Sequence, residues 1–160
     1  MIKYTAIALS ILLSACGGSG VNTQADTATT TSEKTVNAPI PQSGGYSNID
    51  NPQLEKMLQD GVTLVDIRRQ EEWQQTGIVE GANTITFFTK TGRINPNFMK
   101  EFTALVKPEQ PVALICRTGN RTRAASKAIA QQLGYKKVYN VTRGITGWIA
   151  EKRAVVTYTQ

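Results

Sequence analysis

No histidine occurs anywhere in the 160 residues, and there are only two cysteines, Cys16 and Cys116. The first absence excludes Ser-His-Asp and Cys-His catalysis, imidazole acid–base chemistry and any His-ligated metal. The second excludes a disulfide framework and a four-cysteine zinc site. Neither a metal nor another cofactor is therefore expected. Aromatic residues are scarce, at 7%. What is present is 40% hydrophobic and 19% charged residues, the balance of a soluble globular protein rather than a disordered or fibrous one. The charge is lopsided, with 18 Lys+Arg against 12 Asp+Glu and a net charge of +6, which suits anionic ligands or anionic surfaces.

The amino terminus reads as an address. Met1-Ile2-Lys3-Tyr4 carries one positive charge, and Thr5 to Leu13 is uncharged and mostly apolar. That run is too short to span a bilayer, which needs about 20 residues, and its length and flanks are those of a secretory signal peptide over residues 1–15. Leu13-Ser14-Ala15-Cys16-Gly17 resembles the lipobox of bacterial lipoproteins. The resemblance implies that Cys16 becomes the mature amino terminus and carries a lipid through its sulfur, anchoring the chain to a membrane. Gly17 after the cysteine, where aspartate would signal retention, implies the outer membrane, facing the periplasm. Nucleic acid is not an expected partner there.

Residues 16–45 hold Gly17-Gly18-Ser19-Gly20, a Thr/Ser run around Thr29, then Pro39, Pro41 and Gly44-Gly45, without periodic apolar positions. They read as a flexible tether with a reach of about 30 Å. Residues 46–160 read as the folded domain. Asn51-Pro52 predicts a helix start, Leu54, Met57 and Leu58 an apolar stripe, and Gly61 its stop. Strands are predicted at Thr63–Ile67, Thr84–Phe88, Val112–Cys116 and Lys137–Val141, and further helices at Glu71–Gln75, after Asn95-Pro96, at Thr122–Leu133 and at Gly144–Lys152. The alternation predicts a three-layer α/β domain with a mainly parallel central sheet flanked by helices.

Ligand sites in such sheets lie beyond the carboxyl ends of strands. Cys116 stands there, followed by Arg117-Thr118-Gly119-Asn120-Arg121-Thr122-Arg123 and an Ala-rich helix. A tight loop entering a helix turns backbone N–H groups inward and adds the partial positive charge of the helix end, and Arg121 brings a full one. An anion is favoured in such a cradle, whether the thiolate of Cys116 or a substrate. Cys116 is thus a candidate nucleophile needing no separate general base.

Cys116-Arg117-Thr118-Gly119-Asn120-Arg121 resembles the active-site loop of the rhodanese-like sulfurtransferases, Cys-x-x-Gly-x-Arg. Asp66-Ile67-Arg68 resembles the early Asp-x-Arg motif of that family. Glu72-Trp73, Gly77 to Ala82 and Asn140 to Trp148 are similar to further family segments. Ile78, Glu80 and Arg143 depart from the family pattern. The resemblance implies a single-domain rhodanese-like fold and sulfur transfer through a persulfide on Cys116. A small sulfur-containing anion such as thiosulfate would be the donor, and a thiol or cyanide the acceptor. Arg117 and Thr118 would contact the donor, Arg121 would orient the loop, and Asp66 and Arg68 would brace its scaffold. Related phosphatases and arsenate reductases hold a longer loop, and here Thr122 occupies the position where such a loop carries its arginine. A phosphatase or arsenate reductase is therefore the weaker alternative, and a non-catalytic binding module of the same fold the other.

Overall fold

The computed structural model describes residues 37–159. The expected signal peptide, Cys16 and the tether up to residue 36 lie outside them. The sheet has six strands: β1 (Ile40–Pro41), β2 (Ser47–Ile49), β3 (Thr63–Asp66), β4 (Asn83–Thr84), β5 (Val112–Ile115) and β6 (Val138–Val141), in spatial order β1-β2-β6-β5-β3-β4. All pairings are parallel except β1 with β2. The helices are α1 (Asn51–Gln59), α2 (Gln70–Thr76), α3 (Phe98–Leu105), α4 (Asn120–Gln132) and α5 (Gly144–Ala150).

Alternation along β5 divides the core in two. Val112 and Leu114, with Cys116 beyond them, face one side with Phe98 and Phe102 of α3 and Ala125 and Ile129 of α4. Ala113 and Ile115 face the other side with Leu54 of α1 and Ile145 and Trp148 of α5. A strand side chain changes face at every residue, so a fully apolar strand needs helices on both faces. This is the three-layer, mainly parallel architecture expected. Trp73 and Trp148 are both buried, as core anchors should be.

Element boundaries differ from the reading of the sequence, and four of the differences have a clear cause. Ordered structure begins before residue 46, because Ile40–Pro41 pairs with β2 and the Gln53 side chain donates to the Asn37 carbonyl at 2.6 Å. The N-cap of α1 is Asp50, not Asn51: its carboxylate accepts from Gln53 N–H while the Gln53 side chain accepts from Asp50 N–H, a capping box. The strand expected at Thr84–Phe88 pairs only over β4, after which Ile85 and Phe87 donate to Asp66 and Ile67 carbonyls and turn into the core. Helix α4 starts at Asn120, two residues early, because Gly119 caps it in a left-handed conformation.

Candidate active site

Strand β5 lies inside the sheet between β3 and β6, so its carboxyl end is walled on both sides. Cys116 follows it and is 1% exposed. Its sulfur accepts a hydrogen bond from Gly119 N–H at 3.2 Å and lies 3.5 Å from Thr122 Oγ1. The chain can turn back on its own sulfur because Gly119 adopts φ +88°. No side chain fits there, since a Cβ would sit 2.1 Å from the Thr142 carbonyl oxygen.

The loop is held from outside by α5. Ile145 N–H donates to the Cys116 carbonyl at 2.8 Å, and Thr146 donates to the Arg117 carbonyl through N–H at 3.1 Å and through its hydroxyl at 2.6 Å. These bonds use the first-turn donors of α5, which no helical carbonyl can satisfy. In a trans peptide the carbonyl and the N–H point in opposite directions. Fixing these two carbonyls toward α5 therefore turns the N–H groups of Arg117 and Thr118 away from it. The first-turn N–H groups of α4 lie just beyond. Gly144 permits the contact, as a Cβ there would lie 2.3 Å from the Cys116 carbonyl oxygen.

The arginines of the loop have different surroundings. Arg121, expected to orient the loop, does so by forking onto Glu72 of α2, with Nη1 to Oε2 at 2.7 Å and Nη2 to Oε1 at 2.6 Å. Two parallel N–H groups match two carboxylate oxygens better than they match one sulfur. Arg121 still lends its positive charge to the neighbourhood of Cys116. Burial pushes the Glu72 carboxyl up, but the Arg121 hydrogen bonds, the Arg69 N–H and both guanidinium charges outweigh it and hold it at about 2. The local sequence around Glu72 does not show that it fixes the loop; the fold brings the two together.

Asp66 and Arg68 are both sealed from solvent. Arg68 Nε lies 2.9 Å from each Asp66 oxygen, and Nη2 lies 2.6 Å from Oδ2. The rest of the guanidinium donates to the Thr76 hydroxyl and to the Gly77 and Glu72 carbonyls. The pair ties β3 to the end of α2. Asp66 presents no oxygen to a substrate, which fits the bracing role expected of it. Arg117, Thr118 and Asn120 are exposed. With Arg69, Glu72 and Arg121 they line a polar hollow of about 340 Å³ above the loop. Larger hollows exist elsewhere, one of about 610 Å³ beside Val156–Thr159, but none of the loop residues lines it.

The buried Asn140 and the half-buried Asn48 carry no local sequence motif of their own. Asn140 Oδ1 lies 2.5 Å from Thr122 Oγ1, and its Nδ2 donates to Asn48 Oδ1 at 2.8 Å. The signal available was a polar residue inside an otherwise apolar strand, Val138-Tyr139-Asn140-Val141, which must find a partner.

Comparison with known proteins agrees with this geometry. Residues 50–151 match the family model of the Rhodanese-like domain. The chain is 32% identical over 109 residues to Rhodanese-like domain-containing protein 17 of Arabidopsis thaliana, covering 65% of this chain and 69% of that one. It is 30% identical over 107 residues to Thiosulfate sulfurtransferase 18 of Arabidopsis thaliana, covering 64% and 77%. The crystal structure of Rv0390 from M. tuberculosis superimposes with a TM-score of 0.60 at 27% identity, covering 69% of this chain and 97% of that one.

Proposed function

This chain belongs to the rhodanese-like family, and we propose that it is a sulfurtransferase carrying sulfane sulfur as a persulfide on Cys116. The observation that carries the reading is the Gly119 N–H directed at the Cys116 sulfur from a loop whose carbonyls are tied to α5. Donors fixed before the reaction stabilise charge on sulfur without reorganising. In the first step the Cys116 thiolate attacks the outer sulfur of thiosulfate. The S–S bond of the donor breaks, its electron pair leaves with sulfite, and Cys116 keeps the sulfur as Cys–S–S⁻. In the second step a thiolate or cyanide attacks that outer sulfur and leaves as a persulfide or thiocyanate, returning the Cys116 thiolate. The exposed Arg117 and Thr118 at the rim receive the donor anion, in the hollow they share with Arg69 and Arg121.

Intact mass after thiosulfate treatment tests this. The wild type should gain one sulfur atom, lose it to cyanide as thiocyanate, and show ping-pong kinetics. Cys116→Ala should do neither. Thiocyanate formation surviving that substitution would reject the mechanism, and release of phosphate from an aryl phosphate by the wild type would favour the alternative chemistry.

The same proposal places the enzyme on a membrane, tethered through a lipid on Cys16 and facing the periplasm. It is supported by the order of charge, apolar run and lipobox in residues 1–17. Expression with a clickable fatty acid should label the wild type and not Cys16→Ala, and the substitution should release the protein from the membrane fraction. Equal fractionation of the two would overturn the anchoring.

A further inference from the structure

Thr122, Asn140 and Asn48 form a polar chain that begins at the reactive sulfur. Thr122 and Asn140 are 0% and 1% exposed. Asn48 and Asn140 face each other across the parallel β2–β6 pair as register partners, and Asn48 is only half-buried. Nothing in the two chemical steps above uses the two asparagines.

The hydroxyl of Thr122 carries one hydrogen. Three acceptors lie around it: Asn140 Oδ1 at 2.5 Å, the Gly119 carbonyl at 2.9 Å and the Cys116 sulfur at 3.5 Å. With the Asn140 oxygen turned to Thr122, this shortest contact takes the hydrogen, and Thr122 can offer the sulfur only a lone pair. That suits a protonated thiol, which donates. It does not suit a thiolate or a persulfide anion, which needs donors. Turning the Asn140 amide over reverses the relation. Its N–H then points at Thr122, the hydroxyl hydrogen is left to the Gly119 carbonyl at 2.9 Å or the sulfur at 3.5 Å, of which an anionic sulfur is the stronger acceptor, and the Asn140 oxygen faces Asn48, whose own amide turns to donate to it. Neither turn moves the backbone, and the half-buried Asn48 amide can exchange its partners with water.

We propose that Asn140, set by Asn48, is a positioning residue that selects whether the Thr122 hydroxyl accepts from or donates to the Cys116 sulfur. The linked amides occupy the observed orientation when the sulfur is protonated and the reversed one when it is anionic. No covalent bond changes; one hydroxyl hydrogen swings from a carbonyl oxygen to sulfur. This role presupposes the persulfide carrier proposed above.

The test locks the orientation from its far end. In Asn48→Asp the new carboxylate only accepts, so Asn140 must keep donating to it and must keep its oxygen on Thr122. Alkylation of Cys116 by iodoacetamide at pH 7 should slow about tenfold, the worth of one hydrogen bond to a charged group, and the persulfide should be lost faster by a similar factor. Asn140→Asp should act in the same direction, and Thr122→Ser should retain wild-type rates. The deciding experiment repeats Asn48→Asp in a Thr122→Val background, where the relay has no hydroxyl to direct. There the substitution should have no further effect on either rate. An equal slowing in that background means that the added charge acts through space and overturns the relay, as does a wild-type alkylation rate in Asn48→Asp alone. Thermal melts of each variant accompany the rates, and Asn48→Asp, at a half-buried site, serves where the buried Asn140→Asp does not fold. If the wild type forms no persulfide by mass, the proposed function fails, while the alkylation rates still report on the relay.

Discussion

Arg121 and Glu72, 49 residues apart in the chain, meet in a two-bond fork that fastens the loop after Cys116 to α2. Only 22% and 14% of their side chains are exposed, so solvent screens the pair weakly. The end of the loop is thus fixed by a charge pair and its beginning by the N–H groups of α5.

Glu72→Gln should cost about 2 kcal/mol at neutral pH, the scale of a hydrogen bond between charged groups. The pH dependence gives the sign. The folded-state value of about 2 lies below the ordinary carboxylate value of 4.5. The contribution of Glu72 is therefore complete above pH 4.5 and lost as pH falls toward 2. Urea denaturation of wild type and Glu72→Gln across that window should show the stability difference shrinking with acid. A difference that stays constant to pH 2 would mean that the carboxylate charge contributes nothing to the pair.

Gly119→Ala and Gly144→Ala should both damage the loop, from opposite sides. Each glycine has positive φ, and each added Cβ would fall far inside contact distance of a backbone oxygen, Thr142 in one case and Cys116 in the other. The strain and the forced backbone shift should cost on the order of 3 kcal/mol apiece. Gly61→Ala is the control, because it shares a positive φ but meets nothing within 4 Å. If all three variants melt alike, backbone conformation alone sets the cost and the close approach contributes nothing.

Size selectivity toward thiol reagents follows from the burial of Cys116. Cys116 is 1% exposed, while Arg117, Thr118 and Asn120 stand above it in solvent. Iodoacetamide should therefore modify it much faster, relative to a free thiol, than an aromatic disulfide reagent does. Equal relative rates for the two reagents would show that the loop opens freely.

The parts of this site legible in the sequence are those encoded by local pattern. The apolar run Val112–Ile115 and the polar, glycine-containing turn after Cys116 mark a buried strand feeding a helix, whatever the rest of the chain does. The layers follow from alternation of such units. Three things were illegible because they depend on pairing across the chain. Strands β1 and β2 are two and three residues long, β1 at the sheet edge and β2 beside it, with prolines on both sides of Ile40 and no apolar alternation to reveal them. The partner of Arg121 is chosen by where α2 comes to rest, 49 residues away in the chain, which no local pattern shows. Asn140 looks like an ordinary strand residue until Thr122 and Asn48 arrive beside it from α4 and β2. Helix ends slipped for a related reason: Gly119 caps α4 through its backbone conformation, so no Ser, Thr or Asp side chain marks the start.

The Asp66–Arg68 pair allows a sharper test of scaffold against catalysis. Both side chains are buried, and each is the other's principal partner. Removing one leaves the other uncompensated, which costs about 3–5 kcal/mol in buried pairs, whereas replacing both with apolar groups is often close to neutral. Asp66→Asn and Arg68→Met should each be strongly destabilising, and the double replacement Asp66→Leu with Arg68→Met should cost less than the sum of the two. Arg68 also holds the Thr76 hydroxyl and the Gly77 carbonyl at the end of α2, so the single variants should speed hydrogen exchange in α2 and loosen Glu72 from Arg121. A scaffold role requires that any loss of sulfur transfer track the loss of folded protein. Asp66→Asn that melts like the wild type yet forms no persulfide would instead put this carboxylate in the chemistry, against the geometry, in which neither of its oxygens is free of Arg68.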